Sequence, residues 1–96
     1  MNLRLRGVGR TGDGRLVVGG FFPLVNSEGI ALEEVLEALR QRGHVPDWSG
    51  FVRECIDFGW GPGMIVSRIE AAVGDVHGPV VRDEVSARLR RVLGEA

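Results

Sequence analysis

FVRECIDFGWGPGMIVSRIEAAV, Phe51 to Val73, is the stretch whose reading decides the fold. Its apolar residues form two runs at helical spacing: Phe51, Val52 and Cys55 before Gly59, then Met64, Ile65, Ile69 and Val73 after Pro62. Apolar positions recurring every three or four residues give a helix one face to bury. Gly59 suits the left-handed backbone that ends a helix, and Pro62 suits a first helical turn, where its missing N–H would have no intrahelical partner. The spacing therefore predicts helix, tight corner, helix. Trp60 is expected to be a wedge in that corner, where truncation of a core aromatic costs about 3–5 kcal/mol.

Working outward, Asp47 is a good N-cap for the first of these helices, which gains Trp48 on its apolar face, and Gly74 is expected to stop the second. Gly78 and Pro79 open a further helix with Val81, Val85, Leu89 and Val92 in line and Arg82, Arg88, Arg90 and Arg91 on the outer face, ended by Gly94. Upstream, Leu32, Val35, Leu36 and Leu39 mark a helix with Asn26 or Ser27 as its cap, and Gly43 follows its basic end. Asn2 to Val18 alternates as a β-hairpin around Thr11, Gly12, Asp13 and Gly14, extendable through Phe21 and Phe22 past a bend at Gly19 and Gly20. The expected fold class is α+β, an N-terminal β-hairpin followed by a compact bundle of four short α-helices. All 96 residues form one domain, with a hairpin arm over residues 1–25 and a helical bundle over 26–94.

Composition narrows the function. The 13 acidic and 12 basic residues give a net charge of −1, which disfavours wholesale electrostatic capture of nucleic acid or acidic lipid. All the basic residues are Arg, as GC-rich coding or a preference for bidentate contacts would produce. The run Leu16 to Val25 is too short and too broken by glycine and proline to span a bilayer. No signal-peptide pattern follows Met1, so the expected location is the cytoplasm. A single cysteine, Cys55, provides no disulfide framework within the chain.

Chemistry-bearing motifs are few. Gly7, Gly9 and Gly12 match the glycine spacing of a dinucleotide loop, yet they run into a second strand where phosphate binding needs a helix N-terminus, so they read as hairpin glycines. Cys55 lies on an apolar face, His44 and His77 lie in connectors, and Glu54 and Asp57 fit a solvated helix face. These residues predict no catalytic site, metal or cofactor, no small-molecule substrate, and a protein that is not an enzyme.

The corner also has the spacing of a DNA-binding helix-turn-helix, with Cys55, Gly59, Trp60, Phe58 and Ile65 at favourable offsets. Arg53, Ser67 and Arg68 would then face DNA, with arginines of the last helix on phosphates. Gly61 to Ile65 supplies no polar side chain for base edges, so this is the alternative. The preferred expectation is a non-enzymatic protein-interaction or assembly subunit, self-associating or binding another protein. A lone hairpin is marginal in water, and its free edge can extend a partner's sheet. The expected contacts are Arg4, Arg6, Phe21, Phe22 and Leu24.

Overall fold

The computed structural model describes residues 5–94; the expected strand residues Asn2 and Leu3 and the expected contact Arg4 lie outside that range. Strands β1 (Arg6–Arg10) and β2 (Leu16–Gly19) pair antiparallel, with Arg6 opposite Gly19, Gly7 opposite Val18, Gly9 opposite Val17 and Arg10 opposite Leu16. Val8 is the extra residue of a bulge. The turn closes through Thr11 N–H to the Arg15 carbonyl at 2.8 Å and Gly14 N–H to the Thr11 carbonyl at 3.0 Å. A two-residue strand, β3 (Val45–Pro46), runs parallel to β2, placing Val17 beside Val45 and Val18 beside Pro46. The hairpin is thus tied to the helical body on its β2 side. The β3 pairing escapes a periodicity argument because two residues, one a proline, carry no pattern.

The helices are α1 (Phe22–Asn26), α2 (Leu32–Gln41), α3 (Trp48–Phe58), α4 (Pro62–His77) and α5 (Pro79–Gly94). The hairpin with four substantial helices matches the sequence expectation, and α1 is the addition. Instead of continuing the hairpin, the chain leaves β2 at Gly19 and turns into α1, with Pro23 in its first turn. Asn26 and Ser27 finish α1, where Ser27 N–H donates to the Pro23 carbonyl at 2.9 Å. They do not cap α2, whose N-cap is Ala31 with no side-chain bond. Asp47 does cap α3, accepting from Gly50 N–H at 3.1 Å.

Gly59 has φ 107°, and its N–H and that of Trp60 both donate to the Cys55 carbonyl, at 3.1 and 2.9 Å. This left-handed cap swings the chain from α3 into α4. The expectation that Gly74 ends α4 is corrected. The helix continues through it and stops at Gly78, where φ is 88°. Gly74 instead gives α5 room: a Cβ there would lie 3.2 Å from Arg82 Cδ. Ser86, buried on α5, donates to the Glu70 carboxylate of α4, which also meets Arg90 Nη2 at 3.7 Å.

The core joins Val35, Leu36 and Leu39 of α2 to Val52 and Cys55 of α3, Ile65, Ile69, Ala72 and Val73 of α4 and Leu89 of α5. An aromatic cluster closes its other end. Phe21 stacks on Phe51 with centroids 4.9 Å apart, and the Trp48 ring meets both edge-on at 6.0 and 5.9 Å.

Two neighbouring glycines separate backbone demand from helix propensity. Gly59→Ala places a Cβ in left-handed backbone and should lower unfolding stability by about 1–2 kcal/mol. Gly63→Ala lies inside α4 with nothing within 4 Å of the added carbon, and should raise stability by about 0.5–1 kcal/mol. Urea denaturation of both variants checks this, and equal effects of the same sign would contradict the assigned corner.

Candidate interaction surface

The corner between α3 and α4 is flanked by two large exposed apolar side chains, Phe58 and Met64. Phe58, the last residue of α3, follows Phe51 by seven positions and therefore continues its apolar stripe, but the helix ends there and nothing covers the ring. It is 64% exposed, resting one side on Phe22 at 5.7 Å between centroids. Trp60 meets Phe22 in an edge-type contact at 5.5 Å between centroids and approaches Phe51 likewise at 6.4 Å. The Arg68 guanidinium lies over its ring, 5.1 Å from the centroid. Met64, one turn before Arg68 on α4, is 44% exposed. Trp60 packs against the core as a wedge but is only half-buried. Its truncation should cost less than the about 3–5 kcal/mol of a fully enclosed aromatic.

Phe58, Trp60, Met64 and Arg68 fall within eleven residues around the corner and combine exposed apolar surface with a cation. Aromatic residues, Met and Arg are the types enriched in protein interfaces. The other exposed apolar side chains, Val8, Ile56, Val80 and Val92, are dispersed. Ile56 lies about 200° around α3 from Phe58, on its other flank.

The expected contact residues are divided by the fold. Phe21, Phe22 and Leu24 are core residues, 1%, 6% and 5% exposed, because α1 turns them onto α3. The segment expected to meet a partner therefore spends its apolar area inside the chain. Arg6 is exposed on β1, an edge strand whose five residues are all exposed. The bulge at Val8 shifts the pleat, so that Arg6, opposite Gly19, and Arg10, opposite Leu16, are on opposite faces. Bulges and charged side chains are the devices that keep edge strands from adding further strands.

For the DNA alternative, Arg53, Ser67 and Arg68 are all exposed, Arg53 on α3 and the other two on α4. The first turn of α4 presents Pro62, Gly63 and Met64 where base-reading groups would be needed, and Arg68 is already engaged by Trp60. Gly7, Gly9 and Gly12 lie in the hairpin, with no helix beginning after them. Among the described residues no group of three His, Cys, Asp or Glu side chains could hold a metal ion. His44 and His77, far apart in sequence, line one cleft between the hairpin and α5.

The chain matches no protein-family model, no curated protein and no solved structure.

Sequence reasoning placed Phe58 only at a favourable helix-turn-helix offset and so missed it as a surface residue. The available signal was its position immediately before the helix-ending glycine. Directly beneath the corner, Cys55 is fully buried. Burial foremost, with the neighbouring Glu54 carboxylate, pushes its thiol up to about 12 against the opposing pull of Arg68. The native protein at pH 8 should therefore react with a thiol-specific disulfide reagent only on the timescale of unfolding, and rapidly in denaturant. Fast stoichiometric labelling under native conditions would contradict an enclosed α3–α4 contact.

Proposed function

We propose that this protein is a non-enzymatic interaction or assembly module that binds a protein partner through the α3–α4 corner. The observation that carries this reading is the exposure of Phe58 beside the Trp60–Arg68 stack. A ring left open to water on an otherwise closed aromatic cluster gains free energy as soon as a partner covers it. The half-buried Trp60 supplies a firm platform, since its ring is held by edge-type contacts with Phe22 and Phe51. Arg68 has no ion pair among the described residues, so the complementary surface has apolar side chains for Phe58 and Met64 and a carboxylate for Arg68. A partner could equally be a second copy of the chain. The patch is small against the roughly 800 Å² per partner of a standard interface, and so forms the centre of a larger contact or the seat of a short segment.

The hairpin, the contact favoured by sequence, retains Arg6 and a free strand edge, but its apolar anchors are internal. A cytoplasmic setting fits a lone cysteine kept as a buried thiol. No helix among the described residues is long and apolar enough to cross a membrane.

The test is the double variant Phe58→Ser/Met64→Ser compared with Arg6→Ala/Arg10→Ala. Sedimentation of the purified protein reads self-association, and crosslinking in the source cell reads a heterologous partner. The corner variant should keep its circular dichroism spectrum and lose the association at least about tenfold, as loss of a hot spot does. The hairpin variant should associate as the parent does. Loss only in the hairpin variant would move the contact back to β1, and retention in both would overturn the proposal.

A further inference from the structure

A second surface, sharing no residue with the corner patch, has the character of a small-molecule site. The cleft bounded by the hairpin, the α2–β3 connector, the start of α3, the end of α4 and α5 has a volume of about 570 Å³. That lies within the range of roughly 300–1,000 Å³ in which proteins hold small ligands. Val45, Trp48, Val73 and Val85 give it apolar walls, and Arg15, Arg40, Arg88, His44 and His77 bring donor-bearing groups to it from separate parts of the chain.

The hydrogen-bond accounting is one-sided. A guanidinium has five N–H donors. Arg15 uses its Nε on Asp13, and Arg40 uses Nε and Nη2 on Glu37, so Arg15 keeps both terminal nitrogens and Arg40 keeps Nη1. Asp13 and Glu37 themselves do not line the cleft. Among the described residues Arg88 has no ion pair and no hydrogen bond engages the side chains of His44 or His77, although Glu37 is close enough to His77 for the two to interact electrostatically. Against these stand two carboxylates. Asp47 already accepts from Gly50 N–H, and Glu84 is exposed on α5. The cleft thus sets three guanidinium groups against two carboxylates, on apolar walls, with the hydroxyls of Thr11 and Ser49 at its edge.

We infer that the cleft between the hairpin and α5 binds a small oxyanion carried on an apolar body, with Arg88, His44 and His77 on the oxyanion and Trp48 and Val85 against the body. A cationic ligand of the same size would find two carboxylates, Glu84 and Asp47, against three guanidinium groups that repel it. A bare oxyanion would leave the apolar walls unused.

Titration of the full chain with phenyl phosphate, inorganic phosphate and benzylamine, followed by two-dimensional NMR of backbone amides and indole N–H groups, tests this. Phenyl phosphate should saturably shift the Trp48 indole and the amides of Val45 and Val85 while leaving the Trp60 indole in place. Inorganic phosphate should bind more weakly at the same positions, and benzylamine should leave them unmoved. Arg88→Gln should weaken phenyl phosphate binding about tenfold, the scale of one lost charge-assisted hydrogen bond. His77→Gln, on a different helix, should weaken it as well. The inference is overturned if benzylamine shifts the same amides, if inorganic phosphate binds as tightly as phenyl phosphate, or if both variants titrate as the parent. It is also overturned if the shifts fall on the outer Arg90–Arg91 face or do not saturate.

Discussion

The contact between Phe22 and the rings around it joins the two halves of this molecule. Phe22 opens α1, and its ring meets Phe51 at 5.8 Å, Trp60 at 5.5 Å and Phe58 at 5.7 Å. It therefore binds the segment leaving the sheet to both sides of the α3–α4 corner. Phe21, one residue earlier, stacks on Phe51 and reaches Trp48. Two adjacent aromatic side chains thus fasten the chain that leaves the hairpin to the helical body. The attachment adds to the β2–β3 pairing and to the burial of Val18 in the core, which also hold the sheet on the helices. The same attachment bears on the exposure of the corner: Phe22 contacts both Phe58 and Trp60, Arg68 of α4 lies over the Trp60 ring, and Phe58 stays 64% exposed.

The helices were legible because their apolar stripes are long and their ends are marked by residues with specific backbone chemistry. Asp47, Gly59 and Pro62 each act as their types predict. Gly74 and Gly78 show where such signals fail. Both are glycines near a helix end, but only the second takes left-handed backbone, and the first serves close packing of α5. The distinction depends on which helix lies alongside, a tertiary fact. The burial of Phe21, Phe22, Leu24 and Val25 was illegible for a related reason. Apolar residues after a hairpin look identical whether they cover a partner or their own core, and the turn into α1 decides between the two.

The surface was less legible than the core. Phe58 obeys the stripe of α3, so periodicity assigns it inward, and only the position of the helix end exposes it. The cleft assembled by Arg15, His44, His77 and Arg88 draws on residues distant in sequence and has no motif to announce it. The two surfaces are physically different. One is an apolar knob with a cation beside it, suited to protein contact, and the other is a donor-lined hollow. An assembly module regulated by a small anion would use both, although neither surface requires the other.

Two rings in contact divide the labour, Phe22 as structural anchor and Phe58 as exposed surface. Urea denaturation of Phe22→Ala and Phe58→Ala measures it directly. A loss of about 3–5 kcal/mol for Phe22→Ala and less than about 1 kcal/mol for Phe58→Ala is the predicted result. Comparable losses at both positions would show Phe58 to be part of the core and would contradict the assignment of the corner as a binding surface.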